Sequence, residues 1–312
     1  MKRLRITLVS ASLNLGLSTR LELWLIFSLV LSVIFLAEFW RNLPAMLSPG
    51  RVFGQYQASP WGVLALCFIV LWLKRQQVWS NMLRGPNLIF MPPGLALVAG
   101  ALLMPSSPDY LTFQVLLVFL GVFVIFFGRG ARLPSLLFAI YGFAISFPLA
   151  VQRFAGDVWS RASITPLTGL LTSLGFTLEN EGQWVHFTSF SGEPISVAIT
   201  AACAGPAGIG VITALFALMM LDMPLPVRKA AGLLLFGLVG TWSQNFIRLV
   251  ILMLAGYYLG EPALWTAHRW TIYLLFPPWY LLFAYIYFRQ SRRLPPATKV
   301  TAIVARGVRV NE

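Results

Sequence analysis

Eight long apolar runs separated by short basic loops constrain this chain more than any other feature. They are Leu21 to Trp40, Trp61 to Leu73, Leu88 to Met104, Tyr110 to Phe127, Pro134 to Val151, Val197 to Leu221, Ala230 to Tyr258 and His268 to Phe288. Most approach the roughly 20 residues a helix needs to cross hydrocarbon. In lipid the backbone must satisfy its own hydrogen bonds, and a helix does so within each segment. The runs are too many and too long for one buried core, and with 58% hydrophobic and 11% charged residues a soluble globule is excluded. The predicted fold class is all-α: a polytopic membrane bundle of about eight transmembrane helices.

A net charge of +13 would raise nucleic acid as a partner for a soluble chain. Here the basic residues sit between the spans, a pattern that sets topology instead, and no nucleic-acid partner is expected. With the N-terminus inside and all eight runs crossing, inner segments hold 17 of the 23 Lys and Arg. That asymmetry predicts a multi-pass protein of the cell membrane with both termini cytoplasmic. Met1-Lys2-Arg3-Leu4-Arg5 resembles the start of a signal peptide, but Leu21 to Trp40 is long enough to span and no small-residue cleavage site follows. It is read as a retained helix.

Gln152 to Ser196 differs in kind, with Asp157, Arg161, Glu179, Glu181, His186 and Glu193 among alternating polar and apolar residues. Its first half is predicted to lie as an amphipathic interfacial helix, and Gln183 to Phe190 to form a short strand or hairpin. The organisation expected is a five-helix region over 1–151, an extracytoplasmic segment over 152–196, a three-helix core over 197–288 and a basic cytoplasmic tail over 289–312. Trp265, Trp270 and Trp279 read as an interfacial aromatic belt.

Chemistry concentrates in the last three runs. Thr200 to Gly208 is a small-residue stretch carrying Cys203; Asn245-Phe246-Ile247-Arg248 puts a guanidinium inside an apolar run; Ala267-His268-Arg269 opens the last one. Charge is costly in lipid, which marks Arg248 as functional. Cys203 among Ala and Gly, taken alone, reads first as a small packing residue where helices approach closely. Counting 18, 18 and 20 residues from Cys203, Arg248 and His268 to the inner ends of their runs puts all three at one depth, about 27 to 30 Å from the inner face, if each run is helical throughout.

At that level a thiol would attack, His268 would take and return its proton, and Arg248 would donate to a developing oxyanion or hold a carbonyl or carboxylate. Asn245, one turn from Arg248, would orient it or donate to the same oxygen, or serve only as interhelical glue. Ala201, Ala204, Gly205 and Gly208 are read as a seam for close approach of the next run, itself carrying Gly232, Gly237 and Gly240. Cys67, in an apolar run, is read as structural, both thiols as free, and His186 as a surface or packing residue. No metal is expected, since no His/Cys cluster or H-E-x-x-H occurs, and no cofactor, since there is no Gly-rich phosphate loop.

The order Ala-Cys-x-Gly at 202–205, Asn-x-x-Arg at 245–248 and His268 at the start of a last span resembles the exosortase/archaeosortase family. The resemblance implies a multi-pass cysteine transpeptidase or peptidase with Cys203 as nucleophile and Arg248 and His268 as its companions. It implies as partners secreted proteins ending in a short motif, a transmembrane helix and a basic cluster, with water, an amine or a membrane lipid as acceptor. The chain departs from the pattern at Ala204, where the family commonly has serine, and at Ile272, where glycine often follows the histidine. The alternative from another class is a transporter or polysaccharide-export component in which Arg248 binds an anionic solute and Cys203 packs. The lack of acidic residues within the last seven runs and of an inverted repeat counts against it.

Overall fold

The computed structural model describes residues 16–46, 58–83, 88–104 and 110–292. The basic start Met1 to Arg5, the loop cations Arg51 and Arg84 and the tail beyond Arg292 lie outside the described residues. The chain divides into two compact units, Met1–Phe143 and Ala144–Glu312.

The first unit contains α1 (Leu17–Phe35), α2 (Ala37–Met46), α3 (Ala58–Leu73), α4 (Arg75–Met82), α5 (Met91–Leu103), α6 (Leu111–Phe127) and the opening turns of α7 (Arg132–Ser173). Short 3-10 turns at Leu88–Phe90 and Gly128–Ala131 lead into α5 and α7. Helices α5 and α6 pack at their glycines, where a Cβ on Gly94 would lie 2.8 Å from the Gly121 carbonyl oxygen, and one on Gly121 2.8 Å from that of Gly94. Gln114, buried in an apolar helix, donates from Nε2 to the carbonyls of Ala101 (3.3 Å) and Met104 (3.0 Å). It thereby satisfies acceptors that the end of α5 leaves open. Cys67 is buried with its Sγ 3.6 Å from the Leu137 carbonyl, a packing position as read from the sequence.

In the second unit α7 bends at Ala155, whose φ of −137° and ψ of 19° are not helical. Past the bend its inner face is Ser160, Ser163, Ile164, Leu167 and Leu171, the i, i+3, i+4, i+7 spacing of an amphipathic helix. An antiparallel sheet follows, β1 (Leu178–Glu181), β2 (Trp184–Thr188) and β3 (Pro194–Ala198), with β2 in the middle. Strand alternation sends Val185, Phe187 and Ile195 inward and leaves Trp184, Thr188 and Ser196 outside. The inward residues join Ile164, Leu167, Leu249, Met253 and Leu264 in one core. The amphipathic helix expected after Gln152 is thus present, and Gln183 to Phe190 holds a single strand, β2, flanked by two further strands.

Three helices complete the unit: α8 (Pro206–Asp222), α9 (Val227–Leu259) and α10 (Glu261–Arg292). The sixth apolar run is not helical from Val197. Its first residues finish β3 and then turn, and α8 begins only at Pro206, behind Gly205 at φ +91°. Proline suits that first position because it lacks an N–H that would have no helical partner there. His268 likewise does not open its helix, since α10 starts at Glu261. Trp279 does not belong to an aromatic belt: it is buried, and its Nε1 donates to Thr241 Oγ1 at 2.9 Å. Gly240 makes room for that indole and Gly237 lies against Phe283 of α10 and Ile212 of α8, while on the α8 side Gly205 and Gly208 meet Asn245 and Thr241 of α9.

By length and composition four helical stretches among the described residues can cross a membrane, Leu17–Phe35, Leu111–Ser173, Val227–Leu259 and Glu261–Arg292. A fifth arises if Trp61–Leu73 and Arg75–Met82, bent by 65°, make one span; Leu88–Leu103 and Pro206–Asp222 are shorter apolar helices. The protein is an all-α helical membrane protein with a small three-stranded sheet inserted before its last three helices.

Candidate active site

Cys203 sits in the turn between β3 and α8, half-buried and not disulfide-bonded. Its N–H and that of Ala204 both donate to the Thr200 carbonyl, at 2.9 and 3.1 Å, which curls the chain around Thr200 to Ala204. The Thr200 hydroxyl lies 3.8 Å from Cys203 Sγ. Two side chains from other helices pin the turn. Asn245 of α9 donates from Nδ2 to the Cys203 carbonyl at 3.1 Å, and Trp159 of α7 donates from Nε1 to the Ala204 carbonyl at 2.9 Å. Gly205 is required twice over, by its left-handed φ of +91° and because a Cβ there would lie 2.9 Å from Asn245 Cγ.

Asn245 and Arg248 are one turn apart on the buried face of α9, only 2% and 4% exposed. Arg248 Nη2 reaches His268 of α10, 3.0 Å from Nδ1 and 3.4 Å from Nε2, and lies 3.5 Å from the His268 backbone carbonyl. A guanidinium only donates. The ring nitrogen nearest to it therefore accepts, and in a neutral imidazole the proton is left on the other nitrogen.

The four residues singled out in the sequence are thus linked through α9, Asn245 to the peptide of Cys203 and Arg248 to the ring of His268. Equal depth along three regular helices is not how Cys203 is placed, because it precedes its helix; the hydrogen bond from Asn245 is. Trp159 is not singled out in the sequence, and Thr200 stands there only as the first residue of the small-residue stretch. Nothing in spacing distinguishes Trp159 from the other tryptophans, and Thr200 counts only once the chain curls.

A cavity of about 510 Å³ adjoins the cysteine turn, with Thr200, Ala201 and Ala202 on one wall and the bend of α7 from Gln152 to Val158 on the other. Gln183 closes it, its Nε2 donating to Asp157 Oδ1 at 3.0 Å. His186 stands apart on the sheet, with Nδ1 2.7 Å from Ser196 Oγ and its ring stacked near Trp184, a surface position as read from the sequence. Among the described residues no group of three or more His, Cys, Asp and Glu is arranged to hold a metal ion.

No curated protein matches the chain. No solved structure matches it either. A family model described as transmembrane exosortase (Exosortase_EpsH) matches residues 54–285. The matched stretch covers well over half of the sequence and takes in the cysteine turn and the arginine–histidine pair, and the chain belongs to the transmembrane exosortase family.

Proposed function

We propose that this protein is a cysteine peptidase and transpeptidase of the cell membrane that cleaves C-terminal sorting signals of secreted proteins. Its site would face outward, with both termini in the cytoplasm. The observation that carries the reading is the buried Arg248 engaged with His268, on the same helix face as the asparagine that holds the Cys203 peptide.

The hydrogen bonding suggests an order of events. In the resting arrangement the imidazole lone pair that would accept the thiol proton faces Arg248. A substrate carbonyl arriving at the guanidinium takes up that donor and releases His268 to act as a base. The thiol proton then passes to His268 as sulfur bonds to the carbonyl carbon, and Arg248 stabilises the oxyanion. Collapse breaks the C–N bond, and the imidazolium returns the proton to the leaving amine. The resulting thioester is resolved by water, an amine or a lipid nucleophile, which gives up its proton to His268 and regenerates the thiol. The substrate class in this reading is a secreted protein carrying a motif, a transmembrane helix and a basic cluster; membership of the exosortase family and the length and apolar composition of α9 and α10 support it.

Co-expression with a cognate substrate tests the reading directly. Cys203→Ala and Cys203→Ser should abolish processing while leaving the protein in the membrane at normal abundance, and wild type should form a hydroxylamine-sensitive adduct with substrate. Processing that persists in Cys203→Ala would refute the nucleophile assignment.

A further inference from the structure

A second site lies within the first unit. A cavity of about 670 Å³ is walled by residues of α1, α2, α3, α4, α6 and α7, among them Trp24, Phe68, Phe119, Leu137 and Tyr141. Its size is that of a small-molecule site. Walls so nearly free of polar groups offer water no partners, so the natural occupant is hydrocarbon.

One end of this unit is basic. The cluster of Val78, Met82 and Phe127, with Leu17, Leu21, Leu71 and Leu133 packed on it, joins α1, α3, α4, α6 and α7. Each of these segments brings a cation next to it in sequence: Arg20 on α1, Lys74 and Arg75 at the α3–α4 bend, Arg129 and Arg132 between α6 and α7. Arg75 also lines the cavity. The acidic residues described in this unit are Glu22 and Glu38.

Arg20 is the unusual member. It is 6% exposed, and its Nε and Nη1 are buried with no hydrogen-bond partner among the described residues. It lies in the first turn of α1, where the helix has no side-chain cap and its unpaired N–H groups favour negative charge. One turn further along the same face is Trp24, which lines the cavity. A buried guanidinium with unused donors is costly unless an anion meets it. Basic pockets between membrane helices meet that need with lipid headgroups.

We propose that the first unit binds an anionic glycerophospholipid, its hydrocarbon chain in the apolar cavity and its phosphate at the basic end formed by Arg20 and Arg75. The site is independent of the peptidase chemistry. The guanidinium groups meet the phosphate and the cavity meets the chain; a zwitterionic lipid brings the same phosphate with a quaternary ammonium that the accompanying cations Lys74, Arg129 and Arg132 disfavour, and a chainless phosphate leaves the cavity unfilled.

The full-length protein in a mild detergent, given dioleoylphosphatidylglycerol or dioleoylphosphatidylcholine, reports bound lipid by native mass spectrometry. Phosphatidylglycerol should be retained preferentially, and Arg20→Gln and Arg75→Gln should each reduce that preference about fivefold. Arg75 is exposed, so its variant tests the site even where loss of the buried Arg20 impairs folding. Glycerol 3-phosphate should not displace the lipid. Equal retention of both lipids by wild type, an unchanged preference in Arg75→Gln, or displacement by glycerol 3-phosphate would each overturn the proposal.

Discussion

Removing the Asn245 side chain tests how the cysteine is held. In Asn245→Ala the Cys203 carbonyl loses the donor 3.1 Å away, in a position where Asn245 is 2% exposed and water has little access. A buried acceptor left unsatisfied costs about 1–3 kcal/mol. Trp159 still donates to the next carbonyl at 2.9 Å, so the turn stays attached at one point and the loss is local. If that energy is spent on populating turn conformations that misplace Sγ, the competent fraction falls by about 5- to 150-fold. The assay is kcat/KM on a fluorogenic or purified substrate in detergent, with the melting temperature and the alkylation rate of Cys203 read on the same samples. The expected pattern is a drop in kcat/KM within that range, a changed alkylation rate, and a melting temperature lowered by only a few degrees. Activity within twofold of wild type would refute the argument that this hydrogen bond positions the nucleophile, as would a melting shift large enough to account for the whole loss.

Arg248→Lys keeps the charge but not the planar fork that meets His268 through Nη2, and it should lose at least tenfold in kcat while the protein remains membrane-inserted. Two glycines of α9 should respond oppositely. A Cβ on Gly240 would run into the buried Trp279 ring, so Gly240→Ala should cost about 1–3 kcal/mol and lower the melting temperature and yield. Gly232 has nothing within 4 Å, and Gly232→Ala should stabilise the protein by roughly 0.5–1 kcal/mol, read as a raised melting temperature.

The helical membrane class could be read directly from the sequence, because apolar runs of this length leave the backbone one local way to satisfy its hydrogen bonds. Even the amphipathic stretch after Gln152 and the strand near Trp184 follow from periodicity, since i, i+3, i+4 burial and two-residue alternation are local properties. The residue types of the candidate site were equally visible: a guanidinium in an apolar run is conspicuous whatever surrounds it. Where Cys203 sits was not. Val197 to Gly205 is apolar enough to read as helix, yet β3 claims its start through pairing with β2, and Gly205 and Pro206 postpone the helix. Strand pairing and a left-handed glycine depend on partners distant in sequence, which hydropathy does not register. The same holds for Trp279, whose indole suits an interface by composition but is drawn inward by the Thr241 hydroxyl and the space left at Gly240. Sequence alone determined which candidate groups the chain carries and that Asn245, Arg248 and His268 belong to long apolar helices. Only the tertiary structure decided that α9 would hold the peptide of the cysteine with one turn and the imidazole with the next, because hydrogen bonds between separate helices exist only after packing brings donor and acceptor within reach.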